Sequence, residues 1–354
     1  MTQAGGKHAI VRLAINACRV SRAYRLLRPL LGGSGVILAL HRVVPDTGRS
    51  RIGANSRIEI SPEFLESLII FFRKKGYRIV SLDEMYRQLK HGPGETPFVC
   101  FTFDDGYSDI LDYVLPVFSK YNAPFAVYVV TSFAEKSFPL WWYMLEELLL
   151  TTSGVLEASL DGLSLKLKID TMEEKEAAYS RIREIFMSFP QEELRDVVEN
   201  FFSPLGVSPD QYKKCQMSWE QVAALAHHPL ATVGAHSVHH YNLRSLSRAD
   251  AAAEIADSKE ILQEKTGVAV HHFSFPFGSR EECGPREFEM ARKCGFKTAV
   301  TIREGLIFPE HRFFTECLPR IEITGRHQDL TLVDMRRCGL VSLLRNGFKR
   351  VVTV

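Results

Sequence analysis

The chain has 354 residues, and its 44 Lys and Arg residues nearly balance its 42 Asp and Glu residues, for a formal net charge of +2. This balance gives no support for nucleic-acid binding, which favours a strongly basic surface. Hydrophobic residues make up 45% of the chain and charged residues 24%, as in ordinary globular proteins. One α/β barrel of about 250 residues with an insertion would account for the length.

Residues 7–28 are the first distinctive segment, because they carry six cations and no acid among interleaved apolar residues. The pattern predicts a basic amphipathic helix, which we assign to an N-terminal element over residues 1–34. Two interpretations stay open. One is a surface helix packed on the domain, and the other is a peripheral membrane contact, since cationic amphipathic helices favour anionic headgroups.

The seven cysteines are scattered, with no CxxC pair, and we expect reduced thiols. The early apolar segments are interrupted by arginines, and the best apolar run, residues 35–40, is too short to span a bilayer. We therefore expect a cytoplasmic protein that is either free or peripheral at the inner face of the membrane. The sequence does not indicate an oligomeric state.

From residue 35 onward, predicted strands and helices alternate. Short apolar runs bounded by turn residues predict strands, and helix-start signals such as Ser61-Pro62-Glu63 predict the helices between them. This alternation favours parallel strands with crossover helices. The predicted strands cover residues 36–40, 77–81, 98–103, 125–131, 231–234, 272–275, 298–301 and 318–323.

Residues 139–215 interrupt the alternation. Trp141-Trp142 opens an apolar helical stretch, residues 155–169 alternate like a small hairpin, and charged helices follow. We interpret this segment as a mostly helical insertion in a domain spanning residues 35–330, with residues 331–354 as a C-terminal tail.

Asp104 and Asp105 follow the predicted strand 98–103, and Gly106 permits a tight turn directly after them. Because successive side chains of a strand alternate, one carboxylate can bind a metal while its neighbour faces the reacting water. Alone the motif is weak, since an Asp that caps the following helix would give the same pattern.

His236 and His240 follow a predicted strand about 130 residues further along the chain. Residues four apart lie on one face of a helical turn and can ligate one ion, whereas His239 would point elsewhere. The alternative is a pair of structural histidines. Together with Asp105 they give three protein ligands and an open position, the pattern of a catalytic metal, and leave Asp104 as a free carboxylate.

With these motifs, residues 36–325 resemble the polysaccharide deacetylase family, the carbohydrate esterases that share the homology domain of nodulation-type chitooligosaccharide deacetylases. Thr102-Phe-Asp-Asp-Gly106 resembles the family's first motif. His236-Ser-Val-His-His240 resembles its second motif, and Phe273-Ser-Phe-Pro-Phe-Gly278 resembles its third. The resemblance implies a distorted (β/α) barrel of about seven strands and one divalent metal ion, commonly zinc. It also implies a general base at Asp104, with the metal held by Asp105, His236 and His240.

The third motif departs from the family pattern. Many members carry an Arg before the Pro of this motif, and that Arg orients the catalytic base. This chain has Ser274-Phe275 at the corresponding positions. Arg320 is the candidate replacement, and the alternative is an ordinary ion-pair Arg. We group Arg320 with Tyr107, Pro276 and Phe277 as candidate substrate-binding residues, although aromatic residues in such loops are as often simple packing.

The late Leu-x-His motif that supplies the family's general acid is also missing, and neither His311 nor His327 lies in such a context. His41 directly follows the first predicted strand. Some biofilm-polysaccharide deacetylases are circularly permuted, with this strand moved to the front, and the chain resembles that branch. The resemblance therefore implies that His41 is the general acid, and the alternative is a loop histidine.

The sequence thus predicts a metal-dependent deacetylase that hydrolyses the N-acetyl group of a sugar in an oligosaccharide, a polysaccharide or a lipid-linked glycan. Backbone N–H groups near Gly106 or Tyr107 would stabilise the oxyanion. Two alternatives stay open. One is a metal-dependent hydrolase of another C–N bond in a small molecule, and the other is a non-catalytic carbohydrate-binding protein of the same fold.

Overall fold

The structure is a computed structural model that describes residues 24–353 other than 93, 95 and 161. Its strands follow the predicted apolar runs closely. In chain order they are β1 (Gly35–Leu40), β2 (Arg42–Val43), β3 (Glu59–Ile60), β4 (Arg78–Ile79), β5 (Phe98–Phe103), β6 (Phe125–Val129), β7 (Val155–Leu160), β8 (Leu163–Lys168), β9 (Ala231–Ala235), β10 (His272–Ser274), β11 (Thr298–Glu304) and β12 (Leu318–Glu322).

The helices lie between these strands, as the alternation predicts. They are α1 (Tyr24–Leu31), α2 (Gly53–Arg57), α3 (Pro62–Lys74), α4 (Leu82–His91), α5 (Leu115–Lys120), α6 (Thr131–Ala134), α7 (Trp141–Thr151), α8 (Met172–Ser188), α9 (Leu194–Phe202), α10 (Trp219–Ala226), α11 (Arg248–Thr266), α12 (Pro285–Lys293), α13 (Leu330–Arg337) and α14 (Leu340–Arg345). A π-helical turn, Ile110–Val114, precedes α5.

Seven parallel strands close into a barrel in the order β1-β12-β11-β10-β9-β6-β5, and β4 adds an eighth strand beside β5. Closure comes from β1, which pairs with β12 on one side and with β5 on the other. The register with β5 runs from Gly35 opposite Phe98 to Leu40 opposite Phe103. The predicted α/β barrel of about seven strands is confirmed.

Side-chain alternation along each strand separates the inside of the barrel from the helical layer. Ile37, Cys100 and Tyr128 belong to one buried cluster inside the barrel. Phe101 has the opposite parity, and its ring packs 5.2 Å from that of Phe118 on α5. Residues just beyond a strand end therefore face the barrel axis when they keep the inward parity.

The insertion has the predicted parts. Strands β7 and β8 pair antiparallel from Val155 opposite Lys168 to Leu160 opposite Leu163, and helices flank the hairpin on both sides. Residues 44–58 join β2 to β3 and contain the short helix α2. Asn55 of α2 donates to Trp142 O at 2.9 Å and to Glu146 at 3.1 Å, so contacts with α7 stabilise this short helix.

Only the end of the predicted basic helix is described, as α1, and residues 7–23 lie outside the described part of the chain. The predicted C-terminal tail contains two helices, α13 and α14, and Tyr24 of α1 is buried against them. No helix in the described ranges is long and apolar enough to cross a membrane. Six of the cysteines are free thiols.

Gly234 marks a tightly packed point inside the barrel. A Cβ atom there would lie 2.6 Å from the Tyr128 ring and 2.8 Å from His272 O. We expect Gly234→Ala to lower the free energy of unfolding by about 1–3 kcal/mol through overpacking, measured by urea denaturation. Gly94→Ala is the control, because within the described residues the end of the Gln88 side chain, at 3.9 Å, is the only group near its Cβ. Equal stability of the two variants would contradict this packing.

Candidate active site

Polar side chains converge at the carboxyl ends of the barrel strands, where α/β barrels carry their sites. Asp104 follows β5 with the inward parity of Thr102, and His236 follows β9 with the inward parity of Gly234. Both side chains line a cavity of about 710 Å³, and His41 at the end of β1 lines it too. The barrel therefore brings together residues that are far apart in sequence.

Asp105 lies on a sharp turn that redirects the chain after β5. Its φ angle is 75°, in the left-handed region, and that of Gly106 is 81°. The Asp105 carboxylate lies beside both predicted histidines, with Oδ1 3.4 Å from His236 Nε2 and 3.4 Å from His240 Nε2. The side chains of the three predicted metal ligands thus lie next to one another.

The predicted helical turn between His236 and His240 is wrong. The segment is a loop in which Ser237 has φ 62° and His240 has φ 61°, and the Ser237 hydroxyl accepts a hydrogen bond from His240 N at 2.9 Å. Two left-handed residues fold the chain back on itself. Both imidazoles consequently reach Asp105 without a helix.

Glu254 of α11 holds this loop, and the sequence reasoning missed it. Its carboxylate accepts from Val238 N at 3.0 Å and His239 N at 2.9 Å, and it lies 2.5 Å from His239 Nδ1. His239 therefore turns away from Asp105, as predicted. A buried Glu in the middle of a helix gives no local signal of this role.

The three side chains fit a metal ion. One ligand atom from each of Asp105, His236 and His240 lies within 4.8 Å of the other two. Asp105 Oδ1 is buried and has no hydrogen-bond partner among the described residues. His236 Nδ1 lies 2.7 Å from Ser274 O, so Nδ1 carries the proton and donates, which leaves Nε2 free to ligate.

Burial and neighbouring charges set the pKa values of this group. Burial raises the pKa of Asp105, but the neighbouring imidazoles of His236, His240 and His41 outweigh burial and hold the pKa well below its ordinary value. Burial lowers the pKa of His240 to about 4. It also disfavours charged His236, but Asp104 and Asp105 outweigh burial and raise that pKa. At neutral pH, Asp105 and His240 are therefore already in the ligand form that a metal requires.

Arg320 lies fully buried inside the barrel, and all five of its N–H groups have acceptors. Its two Nη atoms donate to Asp104 Oδ1 at 2.8 Å and Oδ2 at 2.7 Å. The remaining acceptors are Thr301 O at 2.9 Å, Thr102 Oγ1 at 3.1 Å and Ser274 Oγ at 3.0 Å. The guanidinium thus fixes the Asp104 carboxylate in one orientation.

This pairing decides the charge of Asp104. Burial alone raises the pKa of the carboxyl, but the charge and hydrogen bonds of Arg320, together with the neighbouring His236 and His41, outweigh burial and lower the pKa overall. Arg320 does not line the cavity. The geometry fits the predicted role of Arg320 in orienting Asp104. It does not fit direct contact with the substrate, although Arg320 was grouped with the candidate substrate-binding residues. Thr102 and Ser274 also point into the barrel, and their hydroxyl groups accept the remaining Nη hydrogen bonds of Arg320.

His41 lies at the junction of β1 and β2, and its Nδ1 is buried with no partner in the described part of the chain. The next two residues are anchored by Asp109, which accepts from Arg42 Nε at 2.6 Å and from Val43 N at 3.0 Å. Because Leu40 pairs with Phe103, His41 and Asp104 are the next residues of adjacent strands. The two side chains therefore enter the cavity side by side.

The cavity wall contains two of the other predicted residues. Tyr107 and Phe277 line it, and the Phe277 ring lies 4.8 Å from that of His240. Pro276 is buried and does not line the cavity. Trp142 of the insertion, which the sequence reasoning did not select, also lines it, and its Nε1 is buried without a partner in the described residues. Nothing in the sequence relates Trp142 to the barrel site.

The comparison with protein families agrees with this site. The family model described as polysaccharide deacetylase matches residues 91–182 and 193–299, more than half of the chain. The chain belongs to this family, and it is a hydrolase that acts on the C–N bonds of N-acetylated sugars. The match includes Asp104, Asp105, His236 and His240, but β1 and β12 lie outside it. No curated protein matches the chain.

Solved structures share the fold. The deacetylase PplD of Streptococcus pyogenes, in complex with acetate, is 18% identical, with a TM-score of 0.51 over 85% of this chain and 97% of that one. IcaB from Ammonifex degensii is 18% identical, with a TM-score of 0.53 over 86% and 98%. A de-N-acetylase from Aggregatibacter actinomycetemcomitans is 14% identical, with a TM-score of 0.53 over 85% and 99%. At these identities the likeness shows the fold.

We expect Arg320→Met to lower the free energy of unfolding by about 3–5 kcal/mol at neutral pH, because Asp104 stays buried without its partner. Urea denaturation measures this loss. Arg195→Met is the control, since Arg195 and Glu199 form an exposed pair at 3.0 Å, and such pairs contribute about 1 kcal/mol at most.

The Arg320→Met deficit also depends on pH. The lowered pKa of Asp104 stabilises the native protein at pH values above the unfolded pKa of about 3.9, and this contribution disappears as pH falls through the native pKa. The deficit should therefore shrink below about pH 4. A deficit that is constant from neutral to acidic pH would contradict the pairing.

Proposed function

We propose that this protein is a metal-dependent deacetylase that hydrolyses the N-acetyl group of a sugar within a glycan. The observation that carries the proposal is the position of the ligand set Asp105, His236 and His240 next to a second carboxylate, Asp104, that Arg320 keeps ionised. The ligand set and Asp104 line the same cavity. Membership in the polysaccharide deacetylase family supports the reaction class.

The proposed metal is one divalent ion, and zinc suits the donor set of one carboxylate and two imidazoles. Bound there, it would supply Lewis acidity to the acetyl carbonyl and to the attacking water. Asp105 and His240 would hold it in their deprotonated forms, and Ser274 O would keep the Nε2 lone pair of His236 directed toward it.

Asp104 would take the proton from the attacking water. Its lowered pKa keeps it ionised at neutral pH, and Arg320 fixes both carboxylate oxygens, so a remaining lone pair accepts the proton without reorientation. The water oxygen then bonds to the acetyl carbon. Backbone N–H groups near Gly106 and Tyr107 are candidates to stabilise the negative charge on the carbonyl oxygen.

His41 would donate a proton to the amide nitrogen as the C–N bond breaks, which releases acetate and a free amino sugar. Its place beside Asp104 on the paired strands β1 and β5 supports this role, as does its lining of the cavity. An imidazole can transfer a proton near neutral pH. The position of β1 between β12 and β5 is the one expected if the strand that bears the acid has moved to the front of the chain.

The carbohydrate would bind along the cavity wall, where Tyr107, Phe277 and Trp142 present their rings. Aromatic faces pack against the C–H groups of sugars, and the unpartnered Trp142 Nε1 can donate to a hydroxyl group. The insertion would thereby take part in choosing the glycan.

Asp104→Asn should lower kcat for acetate release by at least about a hundredfold, because a general base usually contributes at least that factor to the rate. The zinc content per chain should stay unchanged. Acetate release and elemental analysis measure the two quantities. The control is Asp112→Asn, because Asp112 does not line the cavity. Normal turnover by Asp104→Asn would exclude Asp104 as the base.

His41→Gln should lower kcat with little change in KM or in zinc content, because the proton reaches the nitrogen only in the transition state. His91→Gln serves as the control, because His91 lies exposed at the end of α4 and does not line the cavity. This variant should keep the kcat of the wild type. Loss of zinc or of folding in His41→Gln, in place of a kcat effect, would assign His41 a structural role.

Acetate release from N-acetylglucosamine oligosaccharides, compared with hydrolysis of small amides and ureides, tests the substrate class. We expect turnover of the acetylated sugars alone. Turnover of the small amides alone would favour a hydrolase of another C–N bond.

A further inference from the structure

Positive charge is concentrated in two segments that are far apart in the sequence. Residues 1–45 contain seven Lys and Arg residues and no acid, and residues 335–354 contain five and no acid. Because the formal net charge of the whole chain is only +2, the residues between these segments are net negative. The positive charge of the protein is therefore segregated.

The structure packs the described parts of these segments together. Tyr24 of α1 is fully buried against Met335 and Cys338, and its hydroxyl donates to Asp334 at 3.0 Å. We define α1 together with residues 335–350 as the basic terminal face.

The acids beside this face neutralise only part of its charge. Glu304 pairs with Arg336 and Arg345, and Glu310 pairs with Arg350. Asp334 is buried and is shared by three cations, Arg25 at 3.2 Å, Arg337 at 2.5 Å and Lys75 at 3.8 Å. Arg28 has no ion pair within the described residues, and its guanidinium lies over the Tyr77 ring at 5.4 Å. An excess of positive charge remains at the surface.

Large apolar side chains are exposed on the same face. Leu26 is 81% exposed and Leu30 69% exposed, one helical turn apart on one side of α1. Phe348 is 74% exposed and precedes Lys349 and Arg350. Cations beside exposed leucines suit a lipid surface, where headgroups take the charge and the acyl boundary takes the apolar side chains. A nucleic acid would attract the cations but would gain nothing from Leu26 and Leu30.

We propose that the basic terminal face docks on the surface of a bilayer that contains anionic lipids. Helix α1 leads into the amino end of β1, whereas the cavity lies at the carboxyl ends of the strands. No described residue of this face lines the cavity, so docking through the face leaves the cavity accessible to a glycan. The proposal does not depend on the deacetylase assignment.

Co-sedimentation of the full chain with vesicles tests the proposal. We expect binding to vesicles made of equal parts phosphatidylcholine and phosphatidylglycerol, no binding to phosphatidylcholine alone, and release by added salt, which screens exposed charges. The double variant Leu26→Asp with Leu30→Asp should lower binding at least about tenfold, because it removes the apolar contact and adds repulsion.

The matched control is Val155→Asp with Leu163→Asp, which places the same two charges at apolar positions of the β7–β8 hairpin that are 54% and 44% exposed. It should bind like the wild type, and urea denaturation of both variants shows whether each is folded. Three results would overturn the proposal: no binding to the anionic vesicles, an equal loss in the control, or a wild-type dimer that Leu26→Asp with Leu30→Asp dissociates. Tight binding of duplex DNA without vesicle binding would assign the face to nucleic acid.

Discussion

Closure of the barrel by β1 is the constraint on which the candidate site depends. β1 lies between β12 and β5, so His41, Asp104 and Arg320 come from three adjacent strands. Their positions follow from register and parity, since Leu40 is opposite Phe103 and Ala39 is opposite Glu322. Without β1, the barrel would open beside β5, and the Asp104–Arg320 pair would lose its buried surroundings.

The two adjacent carboxylates have different surroundings, which give them different chemistry. Arg320 binds both oxygens of Asp104, whereas Asp105 Oδ1 has imidazole neighbours and no hydrogen-bond partner in the part of the chain that the structure describes. Burying an unpaired charge is costly. In the proposed function, the paired Asp104 is the proton acceptor, and the unpartnered oxygen of Asp105 is a ligand of the metal ion.

The sequence predicted what depends on local pattern. Apolar runs located the strands to within a few residues, and the polar residues at their ends located Asp104, Asp105, His236 and His240. Arg320 was selected only because the third motif lacks its Arg. The pattern did not give the strand order or the closure, which depend on contacts between distant segments, and the family resemblance supplied the barrel.

The errors and omissions have the same physical origin. The spacing of His236 and His240 suits a helical turn as well as a folded loop, and the left-handed residues that decide between them, Ser237 and His240 itself, are not glycines. Glu254 and Trp142 act on the site from a helix and from the insertion. A residue whose partner is distant in sequence leaves no trace in local composition, so only the structure could identify both.

The proposed metal site can be tested by titrating chelator-treated protein with zinc, with the heat of binding and acetate release measured in parallel. We expect one site per chain, a parallel gain of activity, and loss of both in Asp105→Ala. We also expect Glu254→Gln, which weakens the loop carrying the histidines, to lower zinc affinity less than Asp105→Ala does. Full activity of the metal-free protein, or zinc binding that survives Asp105→Ala unchanged, would contradict the proposed metal site.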